Sequence, residues 1–300
     1  MYVMGGWDRM KRFFRFLIRM VLIVAGFLFI FNLPSLIGIG KNHVVLNFNT
    51  LWINMRASIQ LLVDFNDIHS LEFIKKLEIA ESYQYTMTIL VVSLIFIFFL
   101  AIVMSVLIIL SPEKVRNRLK GGINFFEAVP DLLVIFLFEI FVITLYKSTG
   151  LKFLQLYGLF GHKPYFIPIM TASFLPFFLL LQFLIKAIDE EQIQQYVLYA
   201  RAKGMGRIRT LLVHIMRNLV PLLIMQLRTT VWVLLSNIYL VEVLFNINGF
   251  NQQFLKIIFM GGDFTSLVVC LLMLSVPLLV MEAAGWFISK LIKGREAISI

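Results

Sequence analysis

A chain of 300 residues with 60% apolar side chains and only 15% charged ones carries more apolar surface than a water-soluble domain can hide, since such domains are nearer ~45–50% apolar and ~25% charged. Mean hydropathy is +0.90. This excludes a soluble enzyme and a disordered chain, and the single cysteine excludes a disulfide scaffold. The net charge of +10 is read first as a signal of membrane orientation, not as the footprint of a nucleic-acid partner.

A bilayer-crossing helix needs ~20 largely apolar residues. In chain order such stretches predict six spans, at 17–39, 86–110, 123–146, 165–187, 219–242 and 264–289. The third is interrupted by Glu139, the fifth by Arg228, and the sixth runs past Glu282. The first span follows a basic segment, but its apolar run is longer than a signal-peptide core and no A-x-A site follows, so an uncleaved helix is expected. The loop 41–85 is too long for a turn and has helix-like pieces at 50–63 and 71–81, which predicts an ordered external cap. Eighteen Lys and Arg fall before or at the very start of the first span (Arg19 included), in 111–122, in 186–218 and in the tail, against eight in the three other loops. Both termini are therefore expected in the cytoplasm. The fold class is an all-α polytopic membrane protein, with residues 1–300 as one transmembrane domain.

The segment 186–218 is unexpected for a simple pore. Asp189, with Gln192 three residues on and Glu190 and Glu191 between, reads as the capped start of a helix. Arg201 and Lys203 fit its last turn and Gly204 a left-handed stop. Ile193, Tyr196, Val197 and Ala200 share one face. A second amphipathic helix follows, with Ile208, Leu211, Leu212, Ile215 and Leu219 on one side and Arg207, Thr210, His214, Arg217 and Asn218 on the other. Pro221 marks re-entry into the bilayer. Periodicity alone leaves two uses open for this elbow, a lipid surface or a protein dock.

The string Tyr196-Val197-x-x-Ala200-Arg201-Ala202-Lys203-Gly204, followed by His214, Arg217-Asn218 and Pro221, resembles the cytoplasmic "EAA" loop of membrane subunits of type I ABC importers, in the form of the dipeptide, oligopeptide and nickel permease family. A second patch, Glu242-x-x-Phe245-x-x-x-Gly249, is similar to a segment that this family carries after its fifth span, and Asp263 sits where the family often has an acidic residue. The resemblance runs from about residue 86 onward. Leu198-Tyr199 stands in place of a common Arg-Thr pair, Lys41-Asn-His-Val in place of an external Pro-Gly-Asp-Pro, and Phe250-Asn251 in place of a following glycine.

The resemblance implies a translocation-pathway subunit in a bacterial plasma membrane, for peptides or a related small solute. It implies that Tyr196, Val197, Ala200, Arg201, Ala202, Lys203 and Gly204 dock a cytoplasmic ABC ATPase, with Gly204 as hinge. It implies a second permease subunit in a heterodimer and an external solute-binding protein as further partners. No G-x-x-x-x-G-K-[ST] phosphate loop is present, so ATP is expected to be used by partner subunits, with no cofactor and no enzyme activity in this chain. Nor does any spacing of the four histidines and Cys270 suggest a metal. Glu127 and Asp131 are expected near the cytoplasmic end of the third span. Glu139 either lines the path or pairs within the bundle. Arg228 and Glu282, each about seven residues or ~10 Å from the cytoplasmic end of its span, suit a mutual ion pair or a substrate contact. A self-contained secondary transporter or channel using Glu139 and Arg228 is the alternative, and it leaves the basic elbow unexplained.

Overall fold

The computed structural model describes Ile18, Ala25, Gly26, Leu28, Phe29, and residues 32–39, 44–63, 78–150, 163–259 and 264–296. Their contacts divide into two compact units, one of 1–73 with 262–269 and the other of 74–261 with 270–300.

In the first unit the described residues between Ile18 and Asn32 are helical. A 3-10 turn, Leu33–Leu36, ends this stretch where Pro34 cannot donate an N–H. Strands β1 (Ile37–Ile39) and β2 (Val44–Leu46) then pair antiparallel, Ile37 opposite Leu46 and Ile39 opposite Val44. Helix α1 (Phe48–Val63) follows, with the Asn47 side-chain oxygen accepting the Thr50 N–H at 3.3 Å. Asn32 reaches Ser58 of α1 at 3.3 Å. The first span therefore stops before residue 33, short of the expected 39, and among the described residues this small hairpin is the only strand structure. The expected helix at 50–63 is present. Residues 71–77 of the second expected piece lie outside the described residues, and Ile79–Glu81 begin the next span.

The second unit holds α2 (Ile79–Leu110), α3 (Glu113–Glu127), α4 (Asp131–Thr149), α5 (Phe166–Gln192), α6 (Gln195–Ala202), a turn at Arg207–Arg209, a wide π turn at Thr210–Ile215 that runs into α7 (Met216–Leu244), and α8 (Phe250–Phe259). Helix α9 (Phe264–Glu296) begins in the first unit and continues in the second. Among the described residues, α2, α4, α5 and the continuous helix 207–244 are long and apolar enough to cross a bilayer, and α9 carries a shorter apolar run at Ser266–Met281. At 32 residues α2 is ~48 Å long, against ~30 Å of hydrocarbon, so it begins seven residues before the expected start at 86.

The core lies where α2, α5 and α7 meet. On α2 the small residues Ser93, Ala101 and Ser105 share a buried face with Ile97, and small side chains there let helices approach closely in lipid. Leu180, Leu181, Leu184 and Ile188 of α5 and Leu234, Ile238 and Val241 of α7 complete it. At the start of α2, Lys163 pairs with Glu81 at 2.9 Å, and the Tyr85 hydroxyl donates to the Pro164 carbonyl.

The stretch expected as one span from 123 is two helices broken at Ala128–Pro130. Pro130 disfavours helical geometry in Val129 and cannot donate to the helix before it, so α3 stops and α4 starts afresh at Asp131. Glu127 closes α3 and Asp131 opens α4. The break is packed by phenylalanine: Phe126 stacks on Phe178 at 4.9 Å, and Phe174 meets Phe126 at 5.8 Å and Phe138 at 5.6 Å.

Candidate functional site

Two constructions in the second unit are built around the residues singled out from sequence. The first is the elbow. Helix α5 continues through Gln192, so Asp189, Glu190 and Glu191 form its last turn and do not cap the next helix. Carboxylates at a helix C-terminus oppose its dipole. Here they are answered from outside: Lys120 of α3 pairs with Asp189, the Tyr196 hydroxyl donates to Glu191, and the Asn218 amide reaches the same Glu191 oxygen at 3.4 Å. Burial, followed by the Glu191 carboxylate, pushes the Tyr196 hydroxyl up to about 12.

Helix α6 starts at Gln195, after a chain reversal at Ile193 and Gln194. Its inner face is Val197 and Ala200, at 0% and 3% exposure, whereas Ile193, placed on that face by spacing, is 75% exposed because it precedes the helix. Its outer face carries Leu198, Tyr199, Arg201, Ala202 and Lys203, all exposed, with the Lys203 ammonium 4.5 Å from the centre of the Tyr199 ring. The stop has the form expected of Gly204. That residue has φ 78°, the Met205 N–H returns to the Ala200 carbonyl at 3.3 Å, and the Gly204 N–H to Arg201 at 2.9 Å. This is the paired closure of a helix end that only a left-handed residue permits.

The second helix of the elbow departs from the expected pattern. Its i→i+5 turn at Thr210–Ile215 shifts the side-chain register. Thr210, Leu211, Ile215 and Leu219 face inward, while Ile208 and Leu212 are exposed. Thr210 is satisfied there by donating to the Gly206 carbonyl at 3.1 Å. Pro221 lies inside the continuous helix, which does not break there. The Arg207 guanidinium donates to the Ile109 carbonyl at 2.8 Å, fixing the elbow to the last turn of α2.

The second construction brings together Glu242, Phe245 and Gly249, all buried. Helix α7 ends in the same paired closure. Asn246 takes φ 48°, the Ile247 N–H returns to the Glu242 carbonyl at 2.9 Å, and the Asn246 N–H to Val243 at 3.3 Å. The Glu242 side chain then turns to the start of α8. It accepts the Asn251 N–H at 2.8 Å and the Thr86 hydroxyl at 2.5 Å, and Thr86 in turn accepts the Phe250 N–H at 2.9 Å. A carboxylate at a helix N-terminus satisfies donors that the helix leaves open. Gly249 is what makes room: a Cβ on it would lie 2.2 Å from the Glu242 carboxyl carbon and 2.3 and 2.4 Å from its oxygens. The spacing of the motif is thus a packing relation between a carboxylate and a missing side chain. Thr86 is not singled out from sequence and Asn251 only as a departure from the family pattern, and the one signal for Thr86 is its place on the polar edge Ser82-Thr86 of an otherwise apolar helix.

Glu139 is half-buried on α4 and Arg228 exposed on α7, and each makes an interaction within the chain. The Glu282 side chain and Asp263 lie outside the described residues, and with Glu282 the expected Arg228 pair. Among the described residues no three His, Cys, Asp or Glu side chains converge on a metal geometry.

Long apolar helices, a basic elbow closed by a left-handed glycine, and a carboxylate-locked corner are the features of a multi-pass membrane protein. Residues 98–293 match the binding-protein-dependent transport system inner membrane component, and the chain belongs to that family, as an inner-membrane permease subunit of a type I ABC importer. It is similar to the metal-staphylopine import system permease protein CntB of Staphylococcus aureus strain Mu50, at 23% identity over 218 residues that cover 72% of this chain and 68% of the relative. The same protein of strain NCTC 8325 matches with the same identity and coverage.

Proposed function

We propose that this chain forms one side of a translocation path for a small amino-acid-derived solute, either a metal chelate or a peptide, and that ATP is hydrolysed by separate subunits seated on the elbow. The observation that carries the docking reading is the division of α6. Val197 and Ala200 hold it to the bundle, while Leu198, Tyr199, Arg201, Ala202 and Lys203 are presented outward. A mixed apolar and cationic surface of this kind, on a helix fixed to its own bundle, transmits a push from a partner to α2, α5 and α7. The contact set expected from sequence is therefore divided. Tyr196, Val197, Ala200 and Gly204 shape the helix, and Arg201, Ala202 and Lys203, joined by Leu198 and Tyr199, meet the ATPase. A second permease subunit and an external solute-binding protein complete the assembly.

The chelate reading of the substrate is supported by similarity to a metal-staphylopine permease, and the peptide reading by the resemblance in the elbow motif. The test is co-purification of the chain with its ATPase subunits, followed by ATPase assay in proteoliposomes with the binding protein and either a nickel or zinc chelate or a dipeptide mixture. Stimulation by one class assigns the solute. Absence of any co-purifying ATPase refutes the docking reading.

A further inference from the structure

Helix α3 meets the elbow through Lys120 alone among its cations, and its chemistry is graded along its length. Three contacts set its course beside α5. Lys120 meets Asp189, Asn124 accepts from Gln182 at 3.0 Å, and Phe126 packs on Phe178 and Phe174. From Asp189 back to Phe174 is fifteen residues, or ~22 Å along α5. The helix therefore climbs from the charged cytoplasmic end of a spanning helix toward its middle. Its four cations, Lys114, Arg116, Arg118 and Lys120, all lie in the lower half, and residues 121–126 carry no charge.

Ile123 and Lys120 are turned to α5. Much of the remaining surface is exposed, with Val115 and Leu119 among it, and one line along it is Lys114, Arg118, Gly121 and Phe125, at spacings of four, three and four residues. All four are exposed, Phe125 at 67%, and a Cβ on Gly121 would meet nothing within 4 Å. Read upward, this face is two cations, a gap, and an aromatic ring about seven residues, or ~10 Å, above Arg118. That is the order of groups in an anionic phospholipid lying beside it: phosphate, glycerol, acyl chain.

We propose that α3 is an oblique entry helix that binds anionic phospholipid of the cytoplasmic leaflet, with headgroups on Lys114 and Arg118 and acyl chains against Phe125. Basic residues next to a membrane surface attract anionic lipid, and a phenylalanine ring, with no polar group to hold in water, gains by burying its apolar surface among acyl chains. A lipid bound here touches the helix that Lys120 ties to Asp189, one turn from the elbow, so leaflet composition bears on how firmly the elbow is held.

The experiment uses the full-length chain, with Cys270 replaced by Ala, in nanodiscs of phosphatidylcholine and phosphatidylglycerol. A polarity-sensitive fluorophore is placed at Val115→Cys or Phe125→Cys, and nitroxide lipids labelled at the headgroup or the mid-acyl chain serve as quenchers. The Phe125 site is expected to be quenched more by acyl nitroxide, and the Val115 site more by headgroup nitroxide. Separately, Lys114→Gln with Arg118→Gln is expected to lower the preference for spin-labelled phosphatidylglycerol over phosphatidylcholine by about fivefold or more, and the charge-keeping pair Lys114→Arg with Arg118→Lys to retain it. Water-like emission at both sites overturns the proposal. So does a Phe125 site shielded from water yet unquenched by lipid, which would place a protein partner on this face, and so does an unchanged lipid preference in the charge-neutral pair.

Discussion

Replacing Gly249 by Ala adds one methyl group, and it puts that carbon where the Glu242 carboxylate already is. The nearest approaches, 2.2, 2.3 and 2.4 Å, are far inside van der Waals contact, so either the carboxylate or the backbone of the turn must give way. The carboxylate is held on one side by Thr86 at 2.5 Å and on the other by the Asn251 N–H at 2.8 Å. Displacing it removes two buried hydrogen bonds, worth ~0.5–1.5 kcal/mol each, and leaves their donors open at a further cost of ~1–3 kcal/mol. Partial relaxation of the turn offsets some of this, so the expected loss is ~3 kcal/mol. The assay is thermal unfolding of the purified chain in detergent, followed by intrinsic tryptophan fluorescence, for Gly249→Ala, Glu242→Ala and the double variant. Glu242→Ala vacates the space, so Gly249→Ala in that background should cost under ~1 kcal/mol, a coupling of ~2 kcal/mol between the two sites. Strictly additive losses, or a Gly249→Ala variant as stable as the parent, would refute the packing relation.

At the elbow, Gly204→Val forces a branched residue to φ 78°, at ~1–2 kcal/mol or more, and should weaken ATPase co-purification while membrane insertion is kept. Leu198→Glu alters only an exposed position, so it should lower ATPase recruitment with no change in unfolding temperature. Ala200→Glu buries a carboxylate at a 3% exposed site and should lower both. Lys120→Ala removes a pair that is partly open to water, at 30% and 40% exposure, and should cost no more than ~1 kcal/mol, a difference that fades as salt is raised. Tyr196 titrates in the folded chain near 12, above its ordinary 10.0, so its contribution to stability is complete below pH ~10 and is lost as pH rises through the folded value. A tyrosinate difference titration against Tyr196→Phe should place its ionisation near 12, and Glu191→Gln should bring it only partway down, since burial is the larger cause.

Hydropathy was enough to place α2, α4, α5 and the helix that ends at Leu244, four of the six expected spans, because a run of twenty apolar residues leaves few options in a bilayer. Their ends were not legible in the same way. Helix α5 carries Asp189, Glu190 and Glu191 through its last turn, where local rules place a break, because Lys120, Tyr196 and Asn218 answer those carboxylates from distant parts of the chain. The wide turn at Thr210–Ile215 is invisible to a 3.6-residue period, so Ile208 and Leu212 were assigned to the wrong face. Gly204 was legible because a left-handed stop is a local property of one residue. The Glu242 patch was legible as a spacing, but its meaning needed Thr86, which lies 156 positions away.

That triangle of Thr86, Glu242 and Gly249 also constrains how this protein can vary. Three helices meet in a volume that holds one carboxylate and no further carbon. A larger residue at 249 is tolerable only after a smaller one arrives at 242, and a shorter acid at 242 strands the hydroxyl at 86 and the first N–H groups of α8. Each single step passes through a less stable chain, so drift at these positions is expected to be concerted. Two sequences that differ at one of them should differ at another.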